Sequence, residues 1–280
     1  MTFTTRFAPS PTGPLHLGHA YSAIIAHDMA RAAGGRFLLR IDDLDQSRAR
    51  PAWEEQIYED LHWLGLNWDA PVRRQSEHFA DYAQTLQKLR QIGLTFECNC
   101  TRRDIEAAAN APQEGVPTFG PDGRIYPGTC RALNHHRDAA TCTRLNMGKA
   151  IEIADRFTFL ENGSQNTGPQ TPSKYHMLEQ IGDVVLARRN MAASYHLSVV
   201  LDDAATNITH VVRGADLFEA TPIHVLLQTL LGLPTPIYHH HNLIRDDNGK
   251  RLAKRDDARA VAALRSEGKT PQDIRALVGL

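Results

Sequence analysis

Two histidines with a leucine and a glycine between them, His16-Leu17-Gly18-His19, follow a stretch rich in proline and glycine (Pro9 to Pro14) and open an alanine-rich apolar run. Side chains three residues apart face the same side of a first helical turn. The free N–H groups and the dipole at that end favour an anion. Gly18 lets a nucleotide approach the backbone closely. The chemistry this arrangement suits is the grip of a nucleoside triphosphate. A second group of cations, Lys250-Arg251-Leu252-Ala253-Lys254-Arg255, comes after Asn248-Gly249 near the other end of the chain. Cations on a glycine-started loop can close over phosphates and stabilise charge growing on departing pyrophosphate. An isolated basic run is more often a solvated surface, so the two motifs carry weight only together.

A third group is made of thiols. The four cysteines are Cys98, Cys100, Cys130 and Cys142. A disulfide framework does not suit a chain of this size without a secretory signal. The short Cys98-x-Cys100 spacing, with Cys130 just after the Pro127-Gly128 turn, points instead to a metal. Zinc takes four ligands in a tetrahedral array, often rich in thiolate. His135, His136 and Cys142 compete for the fourth position, although Cys142 reads more readily as a plain buried thiol.

These groups need elements to hold them. Thr2 to Ala8 reads as a strand, Leu17 to Ala33 as a helix stopped by Gly34-Gly35, and Arg36 to Ile41 as a second strand. This is a strand–helix–strand unit, the building block of a parallel sheet. Pro51 opens a helix to about Leu64, and another covers roughly Glu77 to Ile92. From Phe96 to about Leu145 cysteine, glycine, proline and short charged clusters break the pattern, as in an inserted subdomain. Asn162 to Pro172 reads as a mobile polar loop. Strands are expected at Asp183 to Ala187, Leu197 to Asp202 and Ile208 to Arg213, and a helix at about Thr221 to Leu231. A helical tail is expected from about Ala258. The class is α/β, with a Rossmann-like parallel sheet whose ligands bind beyond the carboxyl ends of the strands.

Composition is that of an ordinary soluble domain: 280 residues, 42% hydrophobic, 22% charged, net charge −1. No apolar run is long enough to span a bilayer. The first residues lack the basic-then-apolar order of a secretory signal. A cytoplasmic location and no membrane partner are expected. Near-zero charge weighs against avid non-specific binding of nucleic acid, but local clusters such as Arg102-Arg103 and Arg188-Arg189 leave room for an RNA substrate.

The sequence also resembles a known family. Arg6-Phe7-Ala8-Pro9-Ser10-Pro11-Thr12-Gly13, followed by His16-Leu17-Gly18-His19, is similar to the signature of class I glutamyl-tRNA synthetases. Arg40-Ile41-Asp42-Asp43-Leu44-Asp45, Tyr195-His196-Leu197, Val199 to Asp203 and His210 to Asp216 match further motifs in the family's order. Arg251 to Arg255 stands where the family has KMSKS. The resemblance covers Thr4 to about Ala258. It implies ATP-dependent activation of L-glutamate, with Mg²⁺ accompanying the triphosphate. It places His16, His19 and Lys254 at the phosphates, with Gly18 and Arg251 beside the nucleotide. It places Arg6, Phe7, Ala8, Pro9, Ser10, Asp42, Tyr195 and Arg213 around glutamate. Both arginines are expected to recognise carboxylates, with Arg6 favoured for the side-chain carboxylate and Asp42 for the ammonium. The family more often has glutamate at Asp42, and Ala253 and Arg251 depart from its serine and first lysine.

About 25 residues follow the basic loop, too few for the family's helical anticodon-binding domain, so none is expected here. That shape resembles the truncated paralogous branch, whose acceptor is the queuosine base of tRNA(Asp). The same branch has a C-x-C and a Y-x-x-x-C, which implies a structural zinc on Cys98, Cys100, Tyr126 and Cys130. The expected organisation is 1–95 and 181–257 as halves of the catalytic domain, 96–180 as the inserted zinc-bearing subdomain, and 258–280 as a short tail. A monomer is expected. The alternative function is a minimal glutamyl-tRNA synthetase that charges the 3′ end of tRNA(Glu).

Overall fold

The computed structural model describes residues 2–109, 119–133, 141–188, 191–244 and 260–280. Arg251, Lys254, His135 and His136 lie outside them.

The first βαβ unit forms where the sequence pattern puts it: β1 (Thr4–Phe7), α1 (Leu17–Ala32) and β2 (Arg36–Ile41). β1 and β2 run parallel, with Arg6 opposite Leu38. The return from α1 passes so close to the start of the chain that Gly35 has no room for a side chain. A Cβ there would lie 2.1 Å from the Phe3 carbonyl oxygen. α2 (Pro51–Trp63) begins with proline in its first turn, where the missing N–H costs nothing. β3 (Arg73–Arg74) adds parallel to β2, and α3 (Phe79–Gln91) follows.

At β4 (Thr95–Cys98) the chain leaves this sheet. α4 (Arg102–Ala109), the two-residue strands β5 (Phe119–Gly120) and β6 (Gly123–Arg124), β7 (Cys142–Leu145) and α5 (Met147–Ala154) come next. β8 (Phe159–Glu161) and β9 (Gly168–Gln170) form an antiparallel pair, so the stretch expected as a mobile loop carries the second strand of a hairpin. β10 (Val185–Ala187) then pairs with β7, and β7 with β4, in an antiparallel sheet of its own.

The next element corrects the sequence reading. Leu197 to Asp202, expected as a strand, lies inside the helix α6 (Tyr195–Ala205). Its residues from His196 to Val200, with Asp202 and Asp203, are all buried. A helix buried all round shows no 3.6-residue alternation, and its Val199-Val200 pair mimics a strand. The signal that distinguishes the two is Ser194, the N-cap, whose hydroxyl accepts from the Leu197 N–H.

β11 (His210–Gly214), α7 (Thr221–Leu230) and β12 (Ile237–His241) come next, followed by α8 (Val261–Ser266) and α9 (Pro271–Leu277). β11 is parallel to β12, and β12 to β8. β8 therefore joins the sheet of β11 and β12 although it falls within the range expected for the insert. β1 lies beside β11: the Thr209 N–H donates to the Thr4 carbonyl at 3.0 Å. From β1 the chain winds outward through β2 and β3 on one side and through β11 and β12 on the other. The gap between the carboxyl ends of β1 and β11 is the topological switch point, where open α/β sheets bind ligands.

Alternation along the strands decides which side chains reach that gap. Phe7, Phe37, Leu39, Ile41 and Val212 pack with Ala20, Ile24, Ile57 and Leu61 of α1 and α2 on one face. Leu38 and Val211 pack with Leu197, Val200, Ile223 and Leu226 of α6 and α7 on the other. Neighbours along a strand point oppositely, so Arg6, Arg40 and Arg213 all project to the face covered by α6 and α7. Among the described residues no helix is long and apolar enough to cross a membrane.

Candidate active site

The switch point opens into a cavity of about 300 Å³. Its lining joins Arg6, Phe7 and Ala8 from the end of β1 with Arg40 and Asp42 from the end of β2 and Tyr195 from the start of α6. Val212, Arg213 and Gly214 from β11 close it on the other side, with His16, Gly18 and His19 at the start of α1. Most of the residues expected to hold substrate thus meet in one place. Pro9 and Ser10 are not on the lining. The Pro9 carbonyl instead accepts from the Asp42 N–H at 2.9 Å and fixes the end of β2.

The sequence reading gave no role to several lining residues: Arg40, Tyr21, Ser22, Asp216 and His241. Arg40 and Asp216 stand inside quoted motifs, and strand alternation alone would have put Arg40 on the same face as Arg6 across the sheet. Tyr21 and Ser22 reach the cavity only through tertiary packing. Ser22 Oγ lies 2.6 Å from His241 Nε2, and the Tyr21 ring meets the His241 ring edge-on.

The two walls carry charge differently. On the β1–β2 wall, Asp203 accepts from Arg6 Nε at 3.0 Å and Nη2 at 3.2 Å, and from Arg40 Nη1 at 2.6 Å. Arg40 also donates from Nε to Asp42 at 2.6 Å. Burial would raise the Asp203 carboxyl, but the two guanidiniums hold it below the usual carboxylate range. Burial raises the Asp42 carboxyl despite Arg40. On the β11 wall, Arg213 is 6% exposed, yet no carboxylate among the described residues lies within ion-pair distance of it. Its Nε donates to His240 Nε2 at 3.0 Å, Nη1 to His224 Nδ1 at 3.0 Å, and Nη2 to Thr221 Oγ1 at 2.8 Å and to the Leu217 carbonyl at 3.3 Å. A guanidinium has five N–H groups. Four are occupied by neutral acceptors, which leaves one Nη1 hydrogen and a positive charge that no carboxylate among the described residues touches directly.

At the far end of the cavity His16 is the N-cap of α1. Its Nδ1 accepts from the Gly18 N–H at 3.1 Å, and its own N–H donates to His19 Nδ1 at 3.3 Å. The two rings stack with centroids 3.7 Å apart. The imidazoles are therefore part of the helix cap, with the first-turn N–H groups beside them. Leu243 and Ile244 also line the cavity, and Ala260 bridges to His16. The described residues on both sides of the basic motif thus border the His16–His19 end of the cavity.

At the end of β4 and beyond it, one ligand atom from each of Cys98, Cys100 and Cys130 lies within 4.8 Å of the others. Tyr126 Oη stands 3.3 Å from Cys98 Sγ and 3.6 Å from Cys100 Sγ, and it accepts from the Cys130 N–H at 2.7 Å. Three sulfurs and a phenol oxygen facing one point are a donor set that fits a thiophilic ion. Cys142 sits opposite Cys98 across the β4–β7 pair and packs against this group.

Comparison with known proteins agrees with this geometry. Residues 2–280 match the family model of the tRNA synthetases class I (E and Q), catalytic domain. The glutamyl-Q tRNA(Asp) synthetase of Rhodobacter capsulatus is 60% identical over 277 residues, 99% of each chain. That of Nocardia farcinica is 43% identical over 98% of this chain and 82% of its own. Among solved structures, a glutamate tRNA ligase from Elizabethkingia meningosepticum in complex with its amino acid superposes with a TM-score of 0.74 at 26% identity, over 99% of this chain; this chain spans 60% of that ligase. The chain belongs to the class I tRNA synthetases of the E and Q type, in the branch of the glutamyl-Q tRNA(Asp) synthetases.

Proposed function

We propose that this protein is a ligase that activates L-glutamate with ATP and passes it to the queuosine base of tRNA(Asp). The observation that carries the reading is Arg213: a buried cation with neutral partners only, facing a cavity at the switch point of a nucleotide-binding sheet. Such a site is built to receive an anion that the protein itself does not supply. A glutamate carboxylate is of that kind, and Asp42 and Tyr195 stand across the same cavity to take the ammonium and orient the substrate. Arg6, already paired with Asp203, contributes less net charge and acts mainly by holding that wall.

The start of α1 receives the triphosphate, with its N–H groups, His16 and His19 around the phosphates and Mg²⁺ accompanying them. Lys254 and Arg251 belong to the same end of the site. A glutamate carboxylate oxygen attacks the α-phosphorus, pyrophosphate leaves, and an acceptor hydroxyl then displaces AMP from the acyl carbon. Positioning and charge stabilisation suffice for both steps, and no covalent nucleophile is needed. In the insert, Cys98, Cys100, Cys130 and Tyr126 hold a structural Zn²⁺ that ties β4 to the 126–130 turn. Metal analysis should find one zinc per chain, lost in Cys130→Ser.

The reading is tested by glutamate-dependent ATP–pyrophosphate exchange without RNA, then by transfer of labelled glutamate to tRNA(Asp) with and without queuosine. Exchange without RNA and transfer only to the queuosine-bearing tRNA are expected. Transfer to the 3′ end of tRNA(Glu) would replace the reading with that of a minimal glutamyl-tRNA synthetase.

A further inference from the structure

Arg213 belongs to a chain of hydrogen bonds longer than the cavity. Asp122, in the turn between β5 and β6 of the insert, lies 3.2 Å from His196 Nε2 on α6. His196 Nδ1 lies 3.0 Å from His224 Nε2 on α7, and His224 Nδ1 lies 3.0 Å from Arg213 Nη1. On the other side Arg213 Nε meets His240 Nε2, and His240 Nδ1 meets Glu161 on β8. His196, His224, Arg213, His240 and Glu161 are all buried.

The proton positions follow without choice. Guanidinium nitrogens only donate. His224 must therefore accept through Nδ1, so its proton is on Nε2 and points to His196. His196 accepts through Nδ1 and donates from Nε2 to Asp122. By the same rule His240 accepts through Nε2 and donates from Nδ1 to Glu161. All three imidazoles are neutral. Burial, and next to it the Arg213 charge, hold His224 far below its ordinary value. Burial also lowers His240, with the Glu161 bond opposing.

Arg213 therefore sits between two carboxylates and touches neither. One imidazole separates it from Glu161, and two separate it from Asp122. Each spacer supplies an acceptor that positions the guanidinium without bringing a negative charge to it. Polarisation passes along such a chain, so each carboxylate strengthens the acceptor that faces Arg213. The contrast is Arg6, whose direct pairing with Asp203 consumes its charge. Gly163 belongs to the same device, because a Cβ there would lie 2.6 Å from Glu161 Oε1 and 2.4 Å from the His240 carbonyl oxygen.

We infer that His224 and His240 are positioning residues that keep Arg213 aimed and electrostatically open, and that the chain through His196 to Asp122 makes the insert hairpin part of the glutamate site. The inference rests on the reading of Arg213 as a glutamate-carboxylate ligand.

The test measures KM for glutamate, KM for ATP and kcat by pyrophosphate exchange, with thermal unfolding as a check on each variant. His224→Glu brings a carboxylate onto Arg213 at similar volume. It should raise KM for glutamate by about a hundredfold, with KM for ATP within about threefold and no loss of melting temperature. His224→Gln offers an amide oxygen to Arg213 and an N–H to His196, and should keep KM for glutamate within about threefold. Asp122→Ala, at the partly exposed far end, should raise KM for glutamate by about threefold and leave KM for ATP unmoved. The spacer role is overturned if His224→Glu leaves KM for glutamate unchanged, or if His224→Gln is as damaging as His224→Glu. If His224→Glu does not fold, Asp122→Ala decides: an unchanged KM for glutamate overturns the inference. Arg213→Ala separates the two levels. A raised KM for glutamate there, with silent His224 and Asp122 variants, sinks only the spacer role, whereas an unchanged KM sinks the reading of Arg213 itself.

Discussion

The two walls of the cavity solve the same problem in opposite ways. Each must bury arginines at the carboxyl ends of parallel strands. The β1–β2 wall compensates its cations at once, with Asp203 shared between Arg6 and Arg40 and with Asp42 beside Arg40. The β11 wall surrounds Arg213 with imidazoles, a hydroxyl and a carbonyl. Direct pairing makes a rigid, electrically closed wall. Neutral acceptors make an equally fixed but open one. Burial alone does not distinguish these arginines; the charge of their partners does.

Three substitutions would break or sharpen this contrast. The largest effect is expected from Arg213→Ala. Removing one partner of a buried charge pair costs about 4 kcal/mol, so kcat/KM for glutamate should fall by about a thousandfold. The unfolding midpoint should change little, because no carboxylate among the described residues pairs with the group lost. Exchange kinetics and urea unfolding check both halves. A large loss of stability would mean that both walls are structural.

Asp203→Asn is the mirror experiment and comes next. It strands the buried Arg6 guanidinium, leaves Arg40 to Asp42, and should cost about 3 kcal/mol of stability. Its main readout is a lower urea midpoint, with a smaller change in KM for glutamate. A variant that keeps its midpoint and loses glutamate would erase the difference between the walls.

Asp60 supplies the smallest effect and the reference case. It is a fully buried carboxylate on α2, off the cavity lining, whose oxygens have no hydrogen-bond partner; Arg265 Nη1 comes no closer than 3.8 Å. Burial pushes its carboxyl up to about 6, against 3.8 for an ordinary aspartate. The folded state thus holds a proton that the unfolded chain has released. Stability is unaffected below pH 4, falls between about pH 4 and 6, and stays lowered above. Asp60→Asn should therefore stabilise the protein by about 2 kcal/mol at pH 8, and by progressively less toward pH 4. Chemical denaturation at both values checks it. No gain at pH 8, or a loss there, would show that the carboxylate is compensated, like Asp203.

Much of the site was legible before any coordinates. The proline and glycine turn, the His16–His19 pair and the strand–helix–strand pattern located the helix start that lines the cavity, because helix starts and strand ends are set by local backbone chemistry. The cysteine spacing located the thiol group for the same reason. Other parts had no local signature. α6 looked like a strand because burial on every side removed its periodicity. β9 was hidden in a polar stretch, and β8, which it pairs with, gains its other neighbour only from β12, far along the chain. His224, His240 and Glu161 sit on three different elements and show no spacing that links them.

What the sequence alone determined is therefore the inventory: a βαβ start with a histidine pair at its helix, a group of cysteines, and arginines at strand ends. Only the tertiary structure decided which arginine is open. That depends on the residue each one meets across the switch point. α6 brings Asp203 to Arg6, while α7 and β12 bring neutral imidazoles to Arg213. The electrostatics of a buried cation are set within a few ångströms, by groups that the chain order keeps far apart.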